Sequence, residues 1–293
     1  MVLSNKKVVV LSLAIVCIGV LVGINTSKYF CTITPIERSN AKGTTYWSLI
    51  VAASAGQRFT HDAYTMYNTL IDHYDFSHNK IYFLAPDAST WEGELPYNNN
   101  GNNPSPRVPV PRDCKTSISN IECVINQIAA HADADDIVVI WWTGHGNIGR
   151  FMVNSGYIMA SQFDAMLDKI VCKAMYLFLG ACYSGSFIEH LNDEQNRVIY
   201  TSSRSNEKSH RAGDVYSFWP RATYRALDPD FYAITADNNR NGRISLWEIY
   251  EYAYTSTTEK FDDQTPQRWI GQDIGIGAYP DADDYIGDGY YMI

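Results

Sequence analysis

Two uninterrupted apolar runs, each ending in small residues and a reactive side chain, constrain the fold of this chain most. The first is Asp136-Ile-Val-Val-Ile-Trp-Trp-Thr-Gly-His145-Gly146. The second is Ala174-Met-Tyr-Leu-Phe-Leu-Gly-Ala-Cys182. Runs this apolar, rich in β-branched and aromatic residues, read as strands buried on both faces of a parallel sheet. Open parallel sheets carry their sites just beyond the carboxyl ends of the strands, which is where His145 and Cys182 stand. A thiol needs a nearby imidazole to act as a nucleophile or to pass a proton to a leaving group. The pairing implies the chemistry of a cysteine hydrolase.

The rest of the chain supplies the elements such a sheet needs. Tyr46 to Ser54 reads as a first strand, Thr60 to Tyr74 as an amphipathic helix and Lys80 to Ala85 as a second strand. Ser119-Asn-Ile-Glu122 has the form of a capping box opening a helix, and Ser161-Gln-Phe-Asp164 starts another. Arg197 to Ser202 reads as a further strand, and residues 214 to 227 as helical despite Pro220. Strands alternating with helices predict an α/β fold, a mostly parallel sheet with helices on both faces. The Asn- and Pro-rich stretch 87–113 reads as a long loop.

With 46% hydrophobic residues and 19% charged, the chain can bury a sizeable core. A net charge of -9, with no basic cluster past the first residues, argues against a nucleic-acid partner. Lys6-Lys7 ahead of an uncharged apolar run from Val8 to Ile24 reads as an export signal. At ~26 Å of helix the run is just short of the hydrocarbon core. No small-x-small cleavage site follows, which favours an uncleaved signal anchor over a removed signal peptide. The expected organisation is therefore 1–24 as signal anchor or signal peptide, 25–44 as linker, and 45–293 as the folded domain, outside the cell or at its surface. Six cysteines remain to be sorted in that oxidising exterior. Cys17 lies in the apolar run; Cys114 with Cys123, and Cys31 with Cys172, are candidate bridges that leave Cys182 free.

The chain resembles the legumain-like, caspase-related cysteine peptidases from about Tyr46 to Trp269. The resemblance rests on Thr143-Gly-His145-Gly146 followed by Gly180-Ala-Cys182. It extends to Trp47-Ser-Leu-Ile-Val-Ala-Ala-Ser with His61, and to Asn103-Pro-Ser-Pro. Ile199-Tyr-Thr-Ser-Ser with Glu207-Lys-Ser209, Gly213-Asp-Val-Tyr-Ser217 and Gln264-Thr-Pro-Gln267 complete it. It implies a caspase-like fold and peptide-bond hydrolysis through Cys182 and His145, with an acyl-enzyme intermediate. It also implies an oxyanion hole at the backbone of Cys182 and Gly146, and no organic cofactor. His145 would protonate the leaving amine rather than form a tight pair with the thiol.

The same resemblance makes His61 a residue of the substrate cleft and Asp214 a carboxylate of the specificity pocket; a helix N-cap is the alternative for Asp214. The arginine and glutamate that accompany that carboxylate in asparagine-cutting members are Thr60 and Gly180 here, so asparagine preference does not follow. The pocket is expected to favour a basic side chain, with the nearby Arg58 as candidate replacement for the missing charge. His210 and the remaining histidines read as solvated surface residues. A transamidase on the same fold and a non-catalytic calcium-stabilised surface module are the alternatives.

A last motif, Asp237-Asn-Asn239-Arg-Asn241-Gly242-Arg243-Ile-Ser245-Leu-Trp-Glu248, fits the EF-hand loop. The ligands to Ca2+ would be Asp237, Asn239, Asn241, the Arg243 carbonyl, Ser245 and Glu248, an ion with a structural role. The alternative is an Asn-Gly turn capped into a helix.

Overall fold

The structure, a computed structural model, describes residues 43–86, 114–154, 156–228, 236–240 and 242–272. The expected signal segment, most of the linker, the loop 87–113, Cys17, Cys31 and Asn241 lie outside them. In chain order the elements are β1 (Tyr46–Ala52), α1 (Gln57–His73), β2 (Ile81–Ala85), β3 (Cys114–Lys115), α2 (Ile118–His131) and β4 (Ile137–Thr143). Three short strands follow, β5 (Gly146–Asn147), β6 (Arg150–Val153) and β7 (Gly156–Met159), then α3 (Ala160–Leu167), β8 (Ala174–Gly180), α4 (Ile188–Leu191) and β9 (Arg197–Thr201). The chain continues through β10 (Arg211–Ala212), β11 (Tyr216–Ser217), α5 (Phe218–Leu227), α6 (Leu246–Thr258) and β12 (Gln267–Ile270).

The central sheet has the order β12-β9-β8-β4-β1-β2-β3, parallel throughout except for β12, which runs antiparallel to β9. This is the α/β architecture the sequence predicts. The two diagnostic runs are its central pair, buried along their whole length. Alternate residues feed different cores. Ile137, Val139 and Trp141 pack with α1, α5 and α6, and Val138, Ile140 and Trp142 with α2 and α3. That two-sided burial is why neither strand alternates with polar residues. Among the described residues no helix is long and apolar enough to cross a membrane.

Several boundaries differ from expectation for local reasons. Helix α2 is capped by Ser117, whose side chain accepts the Asn120 N–H, and not by Ser119. Residues before Phe218 form the β10–β11 hairpin, and α5 tolerates Pro220 because it lies in the first turn, where a missing N–H costs no helix bond. Among the described residues Cys123, Cys172 and Cys182 carry free thiols; the other member of one candidate pair, Cys31, lies outside them. Cys172 is packed into the core under β8, and burial pushes its thiol up to about 11.

Candidate active site

Register brings the two reactive residues together. Thr143 of β4 pairs with Gly180 of β8, and the Gly144 N–H donates to the Gly180 carbonyl at 3.1 Å. His145 and Cys182 each stand two residues beyond that paired point, on strands about 4.8 Å apart. Both line a cavity of about 210 Å³.

Cys182 is half-buried and sits on a sharp corner, because Tyr183 takes the left-handed conformation at φ 60, uncommon for a residue other than glycine. The corner is held by neighbours. Ala181 N–H donates to Ser202 Oγ at 3.1 Å. Tyr183 N–H goes to the Glu207 carbonyl, Ser184 N–H to Ala181 and Gly185 N–H to Ser203. In this stretch the Cys182 N–H alone has no acceptor among the described residues, leaving a donor beside the sulfur for an incoming oxygen. The Ser209 N–H donates to Sγ at 3.3 Å, and the thiol reaches the Ser209 carbonyl at 3.7 Å. The helix expected after Cys182 is only a 3-10 turn, Ser184–Phe187, followed by the single turn of α4. A helix dipole is therefore a small contributor here.

Gly146 lies across from this corner. A Cβ there would run into the Cys182 carbonyl and come within 3.1 Å of the Ala181 methyl, so only glycine lets the backbone approach the thiol this closely.

His145 is held by its backbone: its N–H donates to Ser54 Oγ at 3.0 Å. The residue reaches solvent, while one edge of its ring is covered by Phe59 at 4.9 Å. Among the described residues it has no hydrogen-bond partner, Cys182 included. Partial burial and the Arg58 charge hold its pKa below the usual histidine value, so the imidazole is neutral near pH 7 and gives up a proton readily.

The remaining expected site residues fall into two groups. Arg58 and Gly180 line the cavity. Gly180 has no room for the family's glutamate, since a Cβ would stand 2.7 Å from Pro220 Cγ and 3.0 Å from the Trp142 carbonyl. His61 is buried behind the wall against Tyr216, and burial drives its pKa to about 4 despite a hydrogen bond to the Val215 backbone. Asp214 needs correction. It is neither pocket floor nor helix cap but the tip of the β10–β11 hairpin, where Gly213 at φ +67 turns the chain outward. Its side chain is 89% exposed and pairs with Arg211 at 3.1 Å. The cap of α5 is Ser217.

Three contributors escaped the sequence reading. Asp62, fully buried beneath the cavity, accepts from Thr143 Oγ1 at 3.0 Å and from the Ser217 N–H at 3.2 Å. Burial pushes its carboxyl up to about 8, against the pull of those bonds and of Arg58. His210, expected at the surface, lines the cavity, stacked on Phe261 at 4.3 Å and paired with Asp263 at 2.7 Å. Gln264 is buried and bridges the loop under Cys182: its amide donates to the Ser202 carbonyl at 2.9 Å and to Ser209 Oγ at 3.2 Å, and its oxygen accepts the His210 N–H at 2.7 Å.

At the EF-hand-like loop, Asn241 lies outside the described residues. Asp237 accepts the Gly242 N–H at 2.9 Å. Both Glu248 oxygens are taken: Oε1 by the N–H groups of Asn238 and Asn239, Oε2 by the N–H and hydroxyl of Ser245. A calcium site needs six to eight oxygens, with a bidentate glutamate at this position, so an ion would have to displace those bonds. Among the described residues Ser245 and Glu248 form a capping box on α6, and the only carboxylates offered to an ion are those of Asp237 and Glu248.

Residues 46–226 match the model of the peptidase C13 family. A comparison with curated proteins gave no match.

Proposed function

The chain belongs to the peptidase C13 family, cysteine peptidases that act on proteins or peptides, and from that premise we propose that it is an endopeptidase working through Cys182 and His145. In the reading we favour, Cys182 Sγ attacks the scissile carbonyl carbon as its proton passes to the His145 imidazole. The carbonyl oxygen takes up the negative charge and is held by the N–H groups of Cys182 and Gly146. Collapse breaks the C–N bond, His145 gives its proton to the leaving amine, and a thioester to Cys182 remains. Water, deprotonated by His145, then hydrolyses the thioester and restores the thiol.

The observation that carries this reading is the register: two reactive residues at matching offsets beyond paired strand ends, with the Cys182 N–H unclaimed. Cys172 is no rival, because burial keeps its thiol protonated. We also retain export of the domain as a proposal, supported by Lys6-Lys7 and the apolar run behind them. The test is digestion of an unstructured protein followed by mass mapping of the fragments. Internal cuts made by the wild type and lost in Cys182→Ala are expected; cuts that persist in the variant would remove the assignment. Product analysis with added amine separates hydrolysis from transfer.

A further inference from the structure

The charge lining the cavity departs from what the sequence led us to expect. A carboxylate floor was expected at Asp214; that side chain is 89% exposed, is not one of the lining residues, and is taken up by Arg211 of the wall. Among the described residues the cavity is lined by no carboxylate at all; its ionisable walls are Arg58, Arg211, His145, His210 and the thiol itself. Asp62 is sealed off by its bonds to Thr143 and Ser217, and Asp214 and Asp263 are each taken up by a cation of the wall, Arg211 and His210. Neither can the wall acquire an acid at Gly180, which Pro220 fills.

The cations differ in what they have left to offer. Arg211 is matched by Asp214 and His210 by Asp263. Arg58 lies over the Phe59 ring, its guanidinium carbon 4.3 Å from the centroid, and pairs with no carboxylate among the described residues. Stacking on an aromatic face leaves the N–H fork of an arginine free for a planar, two-oxygen partner. Its charge is already felt at both His145 and Asp62, so it stands within electrostatic reach of the reacting atoms.

We propose that this cavity receives an acidic side chain, Asp or Glu, from the residue that donates the scissile carbonyl, with Arg58 as the partner of its carboxylate. The proposal rests on the peptidase reading above and names the substrate class for that same site. A lysine or arginine side chain in the same place would face Arg58 with no lining acid among the described residues to offset it.

The test is a set of fluorogenic peptides identical except for Asp, Glu, Asn, Ala or Lys before the scissile bond, ranked by kcat/KM. A second arm measures equilibrium binding of the same peptides to Cys182→Ala, which reads recognition without cleavage. Hydrogen bonds to charged groups imply that Asp or Glu exceeds the uncharged Asn by about 10- to 100-fold, with Lys last. Arg58→Ala should bring Asp and Asn close together, and Arg58→Glu should place Lys above Asp. Asn or Lys equal to or better than the acids in both arms overturns the proposal, as does binding of no peptide. Acid-selective binding with no cleavage removes the peptidase reading and leaves the acidic site standing; cleavage indifferent to charge does the reverse.

Discussion

The ends of β8 and β4 are neighbours in one sheet, yet they are built differently. Around Cys182 the backbone is fastened at nearly every residue, by Ser202, Ser203 and Glu207 from the loop after β9, with Gln264 bracing that loop from behind. Around His145 the backbone is also held, its N–H by Ser54 Oγ, its carbonyl by the Met152 N–H and the preceding Gly144 N–H by Gly180, but no loop closes over the side chain, and the ring rests edge-on against Phe59 with no hydrogen bond among the described residues. Under the proposed mechanism the contrast has a physical reason. The nucleophile and its oxyanion donor must hold a fixed geometry, whereas the proton carrier has to serve first the sulfur and then the leaving nitrogen.

The largest effects expected are at the reacting groups. Cys182→Ala should reduce turnover to background, and His145→Ala should cost about 10²- to 10⁴-fold in kcat. Both side chains border a cavity, so melting temperatures should stay within about 2 °C of wild type. Turnover by Cys182→Ala at the wild-type rate would erase the distinction between the two strand ends.

Gln264→Ala tests the bracing. It leaves the Ser202 carbonyl and the His210 N–H without their buried partner and should cost about 2–4 kcal/mol of stability together with lowered kcat. Ser54→Ala, on the His145 side, removes a single bond and should cost about 1 kcal/mol. Denaturant unfolding of both variants decides this, and equal losses would contradict the contrast.

How much of this could be read in the sequence follows from the range of the interactions. β4, β8 and the positions of His145 and Cys182 were legible because apolar runs and the residues ending them are local signals. Asp62 was not, since it acquires its role by meeting Thr143 and Ser217, each remote in the chain. His210 became part of the cavity only through Asp263 and Phe261, which return from beyond α6. Asp214 misled for the opposite reason: a matching motif says nothing about which way a hairpin tip turns.

Asp62 and His61 make adjoining but opposite contributions to the pH dependence of stability. Asp62 has its folded pKa raised from 3.8 to about 8, so the folded state holds a proton the unfolded chain lacks. Its contribution is fully present below pH 3.8 and is lost as pH rises toward 8. His61, lowered from 6.5 to about 4, contributes stability above pH 6.5 that is lost as pH falls toward 4. Melting curves across pH 4–9 should therefore show Asp62→Asn flattening the decline between pH 6.5 and 8 and leaving the acid-side loss intact. An unchanged alkaline slope would show that Asp62 is not the group responsible.

The smallest effect is expected at the loop around Glu248. Because its carboxylate is already satisfied by four donors, millimolar calcium should move the melting temperature by less than about 2 °C relative to chelator, well under the stabilisation of about 2.7 kcal/mol from a ligand at a hundredfold excess over Kd. A larger shift would mean that the loop opens to take the ion.

The most direct test of the central claim is the mass of the protein after reaction with a peptidyl acyloxymethyl ketone, followed by mapping of the modified peptide. The account predicts one adduct, on Cys182, formed in step with loss of peptide cleavage and strongly slowed in His145→Ala. An adduct on Cys172 or Cys123 with Cys182 untouched, or full cleavage by protein modified at Cys182, would contradict it.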